Sequence, residues 1–590
     1  MSPPRRRSAG PRRERRGGGR SAGRAGDPAA ARRRLAKDAA PGSASELDVP
    51  AATPGRRSDR RLLLLALGLF LPLGLVLFDP RLFTGGDNVV YWLLAEALAS
   101  GRGYVTLYEP GVPPHSFYPP GYPALLVPVF WLFGGSLIAG KAISFASAIL
   151  ALALSAAYLR RRLPRGADRT PALAAALLLT ATNVTFLTYS HWTLSDMPFL
   201  AVSLGALLLA EREEGGARVW LPAAALAAAA YLIRTAALPL CAAVAWSVWR
   251  NHGRRAGVAA AGLTLAVAGA WSARNALVAP EAPGYLAQFL LVDPYDPGKG
   301  SLTALSLLGR ALVNFDTYAM LEIPRLVWPF LPSFGVPPPG WARVLGVLLL
   351  LAVAIGFGRQ VAARGVRAGE LYVVLYAGVL AAWFWSGDRF LMAVLPLVLS
   401  YAALGAAWAA RAAGRALPRR AGRVAAPSRR QAPTGLEAPK GSWRRSGVVT
   451  VGLLLGPNVA HAVLAAPAQL AVTASHLRGE TLAGYAWFER DYFEALLWIR
   501  ENAPAEALVV SRKPQITYYL SGRRSILYPY AAPDSIEAAV RASGARYLVL
   551  DRLGMSVDMY LIPYLRSYLP NYTVVHAGGD PPTAVLERVR

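Results

Sequence analysis

The chain has 590 residues, of which 54% are hydrophobic and 17% charged, with a mean hydropathy of +0.33, too apolar for an ordinary soluble protein. Its formal net charge of +28 raises nucleic acid as a partner, but much of the excess sits in residues 1–60 and 411–445. Both stretches are rich in Gly, Ala, Pro and Arg and lack periodicity, so they read as disordered cytoplasmic segments that fix membrane topology, with no nucleic-acid role. The only cysteine, Cys241, lies in an apolar stretch, which excludes intramolecular disulfides and a cysteine-based zinc site.

The basic N-terminus is far too long for a signal peptide, so residues 61–78 are expected to stay as a membrane anchor. With that terminus inside, 61–78 runs outward and delivers Asp87 to the outer side. Residues 119–134, "PGYPALLVPVFWLFGG", are apolar enough for a second span, but spanning here would put "RRRLPRGADR" outside. A short interfacial helix at 119–134, followed by an inward span at 137–159, keeps that Arg cluster inside. The alternation then continues through 171–189, 194–210, 218–234, 236–250 and 255–277, with an outer segment at 278–340. Spans at 341–358, 370–386 and 389–410 lead to the basic inner loop, and 446–466 exits for the last time. The expectation is a polytopic α-helical membrane protein of about 11 transmembrane helices, each near the roughly 18 apolar residues that cross a bilayer. Its outer loops are 79–136 and 278–340.

Residues 467–590 change character. "YFEALLWIREN" reads as an amphipathic helix, and "ALVVS", "RSILYP" and "ARYLVLD" read as short strands, with helix at 534–543. These predict a C-terminal extracytoplasmic α/β domain.

Polar chemistry gathers on the outer side. Asp87 opens the first loop, in "TGGDNVVYWLLAEALASGRGY", and His115 and Tyr118 close it in "GVPPHSFYPPGYP". "YSHWTLSDMPF" brings His191 and Asp196, Arg234 sits at an outer turn, "WSARN" carries Arg274, and "WSGDRF" carries Asp388 and Arg389. Each has a plain structural reading. Asp87 and Asp196 suit helix caps, the arginines suit snorkelling to the interface, and the histidines suit interfacial polar sites. A metal held by two histidines and a carboxylate is conceivable, although no spacing demands it. Together, carboxylates and arginines at several exits on one side suit a ligand with an anionic head and an apolar tail.

The order of these motifs resembles the GT-C-fold membrane glycosyltransferases, in the broad group of protein O-mannosyltransferases and the aminoarabinose transferase of lipid A. The resemblance rests on Asp87, Tyr91, Ala95 and "GRGY" in the first loop, "YPPGYPALLVPVFWLFG", "TLSDMPFLAVSLGALLLAER", "RTAALPL", "WSARN" and "RFLMAVLPLVLSYAALG". The C-terminal "WIRENAPAEALVVSRKPQITYYLSGRRSILYP" is similar to the extracytoplasmic tail of bacterial members, and the likeness spans roughly residues 61–590 apart from the inner basic loop. It departs at Asn88, where many relatives carry a second acidic residue, and points to the bacterial branch with unassigned acceptors.

The resemblance implies a sugar donor on polyprenyl phosphate and a glycan, lipid or protein acceptor outside the cytoplasm. It implies Asp87 as the catalytic base, Asp196 as an aid to the acceptor or to a possible divalent metal, and Arg389, Arg234 and Arg274 as holders of the donor phosphate. Tyr91, His115, Tyr118 and His191 would line the substrate cavity. The Ala, Arg and Gly content suits a GC-rich bacterial genome and hence a cytoplasmic membrane. A lipid-linked sugar flippase or exporter is the alternative, though no inverted halves of similar sequence support it. A non-catalytic assembly protein is a third reading.

Overall fold

The computed structural model describes residues 54–166, 168–280, 284–331, 337–416 and 442–589. Residues 1–53 and 417–441, most of the two segments expected to be disordered, lie outside the described residues. The first helix, Pro54–Val76, starts seven residues before the expected anchor, and the Leu395–Ala416 helix continues into the expected inner loop.

Every segment read as a span folds as helix. Leu137–Arg162, Arg254–Val278, Gly340–Arg364 and Asp388–Ala413 are long and apolar enough to cross a membrane, and Arg169–Thr182 with Val184–Ser190 adds a fifth if that pair, bent by 50°, is one span. Asp196–Ala210, Leu238–His252 and Ala368–Ala382 have 15 residues each and Ala217–Ile233 has 17. At 1.5 Å per residue these are only about 22–26 Å long. The protein is thus mostly helical, with several apolar helices and a small C-terminal sheet.

Close packing needs small residues. A Cβ on Gly356 would strike the Tyr401 carbonyl, and one on Gly405 would strike that of Ala352, so the Gly340–Arg364 and Leu395–Ala416 helices cross in backbone contact. Gly121 meets the backbone of Leu232 and Ile233 in the same way, which seats the Gly121–Phe133 helix on the end of Ala217–Ile233. Residues Trp131, Leu132 and Phe133 of that helix are exposed, as an interfacial helix would leave them.

The last long helix, Ser442–Leu477, runs eleven residues past its expected end, and the α/β unit follows it. Helix Trp487–Asn502 leads to β1 (Val509–Val510), β2 (Ser525–Ile526), β3 (Tyr547–Leu550), β4 (Tyr572–Gly578) and β5 (Thr583–Arg588). The sheet order is β2-β1-β3-β5-β4, parallel through the first three and antiparallel in the β3–β5–β4 portion.

The element that positions the site is the Asn88–Ala99 helix. Tyr91, Trp92 and Ala95 enter the large apolar core of the bundle. Val89 and Leu93 enter a second core with Tyr492, Phe493, Leu496 and Ile499 of the α/β unit. The helix is therefore held on two sides, and the segment before it is tied down as well. Lys141 donates to the Asp79 and Arg81 carbonyls, and the Tyr485 hydroxyl bonds the Leu82 amide and carbonyl at 2.5 and 3.1 Å.

Candidate active site

Asp87 occupies the N-cap position of Asn88–Ala99, yet its side chain makes no capping hydrogen bond. Its carboxylate is used elsewhere. Oδ1 accepts from the Tyr118 hydroxyl at 2.7 Å, and Oδ2 pairs with Arg389 Nη1 at 3.2 Å. Arg389 reaches in the other direction through Nε to Asp196 Oδ2 at 3.1 Å. Asp196 Oδ1 pairs with Arg234 Nη1 at 2.7 Å, and that nitrogen also donates to Ser195 Oγ at 3.2 Å. The Tyr91 hydroxyl closes the chain 3.4 Å from Ser195 Oγ. Residues far apart in sequence thus form one continuous polar string.

Each member is delivered by the end of a helix or by a short helix. Asp196 opens the Asp196–Ala210 helix, Arg234 follows Ala217–Ile233, and Arg389 lies in the short Asp388–Leu391 helix that continues into Leu395–Ala416. Asp196 is almost wholly buried, whereas the Asp87 side chain keeps 29% exposure. Burying such charges costs several kcal/mol per ion unless each is paired, and here every charge is. Asp87, Asp196, Arg234 and Arg389 sum to zero charge. Asp87 is the member that solvent and ligands can reach.

His115 lies behind this string. Nε2 accepts from the Tyr118 amide at 3.0 Å, Nδ1 lies 3.1 Å from Thr106 Oγ1, and its ring stacks on Tyr118. Burial, aided by the Arg274 charge, pulls its pKa down to about 3. It is a neutral strut that orients Tyr118. Arg274 is not part of the ion string: it donates to the backbone carbonyls of His115 and Tyr104 and lies over the Tyr104 and Trp271 rings. His191 packs its ring against Phe78 and Phe145, away from these carboxylates.

Sequence reasoning did not single out Arg325 and Glu322. Arg325 Nη1 lies 3.3 Å from Glu322 Oε2, and Nη2 lies 3.9 Å from Asp388 Oδ2, which also accepts from Thr185 at 3.1 Å. The pair supports Asp388, the neighbour of Arg389. An arginine within the apolar run "IPRLVWP" was the available signal.

The donor set does not fit a divalent ion well. Asp87 and Asp196 each give an oxygen to Arg389, and among the described residues no three His, Cys, Asp or Glu side chains gather as metal ligands.

No family model and no curated protein matches the chain. Among solved structures it is similar to the Archaeoglobus fulgidus oligosaccharyltransferase tethered with an acceptor peptide containing the NVT sequon, at 13% identity and a TM-score of 0.49, over 90% of this chain and 74% of that one. It is also similar to ArnT from Cupriavidus metallidurans bound to undecaprenyl phosphate, at 14% identity and a TM-score of 0.49, over 89% of this chain and 97% of that one. The apo ArnT structure gives 14% identity and a TM-score of 0.47, over 89% and 98%. A likeness of this degree assigns no residue, and the chemistry rests on the side chains described above.

Proposed function

We propose that the protein is an integral-membrane inverting glycosyltransferase that moves a sugar from a polyprenyl-phosphate donor to a hydroxyl of an extracytoplasmic acceptor. One observation carries this reading. Asp87 stands where a helix cap is wanted, leaves the cap unmade, and instead presents a partly exposed carboxylate tied to a buried Asp–Arg string. A carboxylate serving only the helix would accept from the backbone amides of the first turn.

In the proposed step the acceptor O–H gives its proton to Asp87. The acceptor oxygen forms a bond to the anomeric carbon, and the bond from that carbon to the phosphate oxygen breaks, its electron pair leaving on the phosphate. A phosphodiester of charge −1 becomes a monoester of charge −2, while Asp87 goes from −1 to neutral. Arg389 then loses one of its two partners, and Nη1 is released toward the new charge. Proton acceptance and phosphate stabilisation are coupled through one guanidinium. Tyr118 and Arg389 each engage one oxygen of the Asp87 carboxylate at rest, so donor binding must draw Arg389 toward phosphate before Oδ2 is free to take the acceptor proton.

The test uses purified protein, a panel of polyprenyl-phosphate sugars and crude envelope acceptors. Consumption of a donor, with release of polyprenyl phosphate and transfer to a hydroxyl, is the expected result. Donor that is bound but never consumed, together with movement of lipid-linked sugar between leaflets of a vesicle, would instead identify an exporter.

A further inference from the structure

The ion string is neutral at rest, and the donor phosphodiester brings a charge of −1 that the string does not balance, so a cation outside the string is wanted. The α/β unit holds one. The Pro514–Ser521 helix packs along Asn88–Ala99. Tyr519 lies within electrostatic reach of Glu96, and Lys513 lies within reach of Asp87. Ile516, in the first turn of the Pro514–Ser521 helix, is buried in one core with Val89 and Leu93, which brings the start of that helix, and Lys513 before it, to the Asp87 end of Asn88–Ala99.

Lys513 is fixed where its main chain is concerned. Its carbonyl accepts from the Tyr492 hydroxyl at 3.3 Å and from Thr517 Oγ1 at 3.2 Å, and its amide donates to Ser511 Oγ at 3.3 Å. Its ammonium, by contrast, makes no hydrogen bond or ion pair among the described residues. The neighbouring Arg512 is already engaged, donating through Nε to Ser556 Oγ at 2.7 Å. Burial first, and then the Arg512 charge, hold the Lys513 ammonium below the usual lysine range, while Asp87 and Asp551 pull the other way. An incoming anion would complete what these carboxylates supply only in part.

We infer that Lys513, carried at the carboxyl end of β1, holds the phosphate of the polyprenyl donor over Asp87, so that the α/β unit completes the active site. This rests on the transferase reading above. It assigns the α/β unit a direct contact with the lipid phosphate in addition to any acceptor role.

The full-length protein is placed in lipid nanodiscs and titrated with undecaprenyl phosphate, with undecaprenol as the uncharged control. Lys513→Ala is expected to weaken undecaprenyl phosphate binding about tenfold, the scale of one lost charge-assisted hydrogen bond. Lys513→Arg should stay within about twofold of wild type, and undecaprenol binding should not change with either substitution. Lys513→Met, which keeps the aliphatic stem, replaces the alanine variant if that one fails to fold. If wild type prefers the phosphate and Lys513→Ala or Lys513→Met binds it equally well, the inference fails and the transferase reading survives. If wild type does not distinguish the phosphate from the alcohol, the transferase reading fails first. A Lys513 variant that raises KM for acceptor alone, with donor binding intact, would move Lys513 to the acceptor side and overturn the assignment.

Discussion

At the scale of single residues, the informative fact about Asp87 is an unmade bond. A capping carboxylate would be satisfied by its own helix. This one is satisfied by Tyr118 and by an arginine 302 positions away. His115 invites a general-base role of its own, because it stacks on Tyr118, the residue that bonds the proposed base Asp87. With its pKa pulled down to about 3, it is neutral throughout the physiological range. His115→Gln is therefore expected to leave the pH dependence of kcat/KM unchanged between about pH 5 and 8, apart from a general loss through misplacement of Tyr118. A shifted limb in that profile would contradict the strut role. Asp87, Asp196, Arg234 and Arg389 were legible in the sequence because ionisable residues at the ends of apolar segments stand out. Their pairing was not legible, since no two of them are neighbours in the chain. Arg274 shared the same sequence signature, but its partners are two backbone carbonyls and the neighbouring Asn275 amide, none of them a charge that a pattern of ionisable residues records.

At the scale of elements, hydrophobic run length located the helices well, because apolar stretches bounded by arginine clusters leave few alternatives. It misplaced their ends, since helices continue past the expected boundary even where a breaker stands, as Ser442–Leu477 does through Pro467. In the α/β unit the three parallel strands were read from their apolar cores, whereas β4 and β5 were not. The β5 run "TAVLER" is buried along most of its length between β3 and β4, so it lacks the alternation of a half-exposed strand. Most of β4 is exposed or only half-buried. Helix crossings give the sharpest prediction at this scale. Gly356→Leu places side-chain carbon where the Tyr401 carbonyl lies, so it should destabilise the fold by at least the roughly 1–3 kcal/mol of an overpacked core. Gly358→Leu, where a Cβ meets open space, should be tolerated. Thermal unfolding of the two variants in detergent checks both, and equal melting points would contradict the close crossing.

At the scale of the whole molecule, the Asn88–Ala99 helix is the joint between the bundle and the α/β unit, and its first turn carries the site. The α/β unit also leaves a signature in the pH dependence of stability. Asp551 is fully buried, its Oδ2 has no hydrogen-bond partner among the described residues, and burial raises its pKa from 3.8 to about 6. An acid whose folded pKa lies above its unfolded value binds its proton more firmly in the fold. Its contribution is greatest below about pH 4 and is lost as pH rises to about 6, a difference of about 3 kcal/mol. Asp551→Asn should remove most of that slope in thermal unfolding of the full chain, and an unchanged slope would place the proton elsewhere. The central claim, that Asp87 is the base, is tested most directly by wild type and Asp87→Asn side by side. Consumption of a polyprenyl-phosphate sugar and retention of bound donor are measured in the same preparation. The substitution keeps the size and the Tyr118 contact but removes proton acceptance, so turnover should fall about 10²–10⁴-fold while donor binding persists. Equal turnover by the two proteins would contradict it.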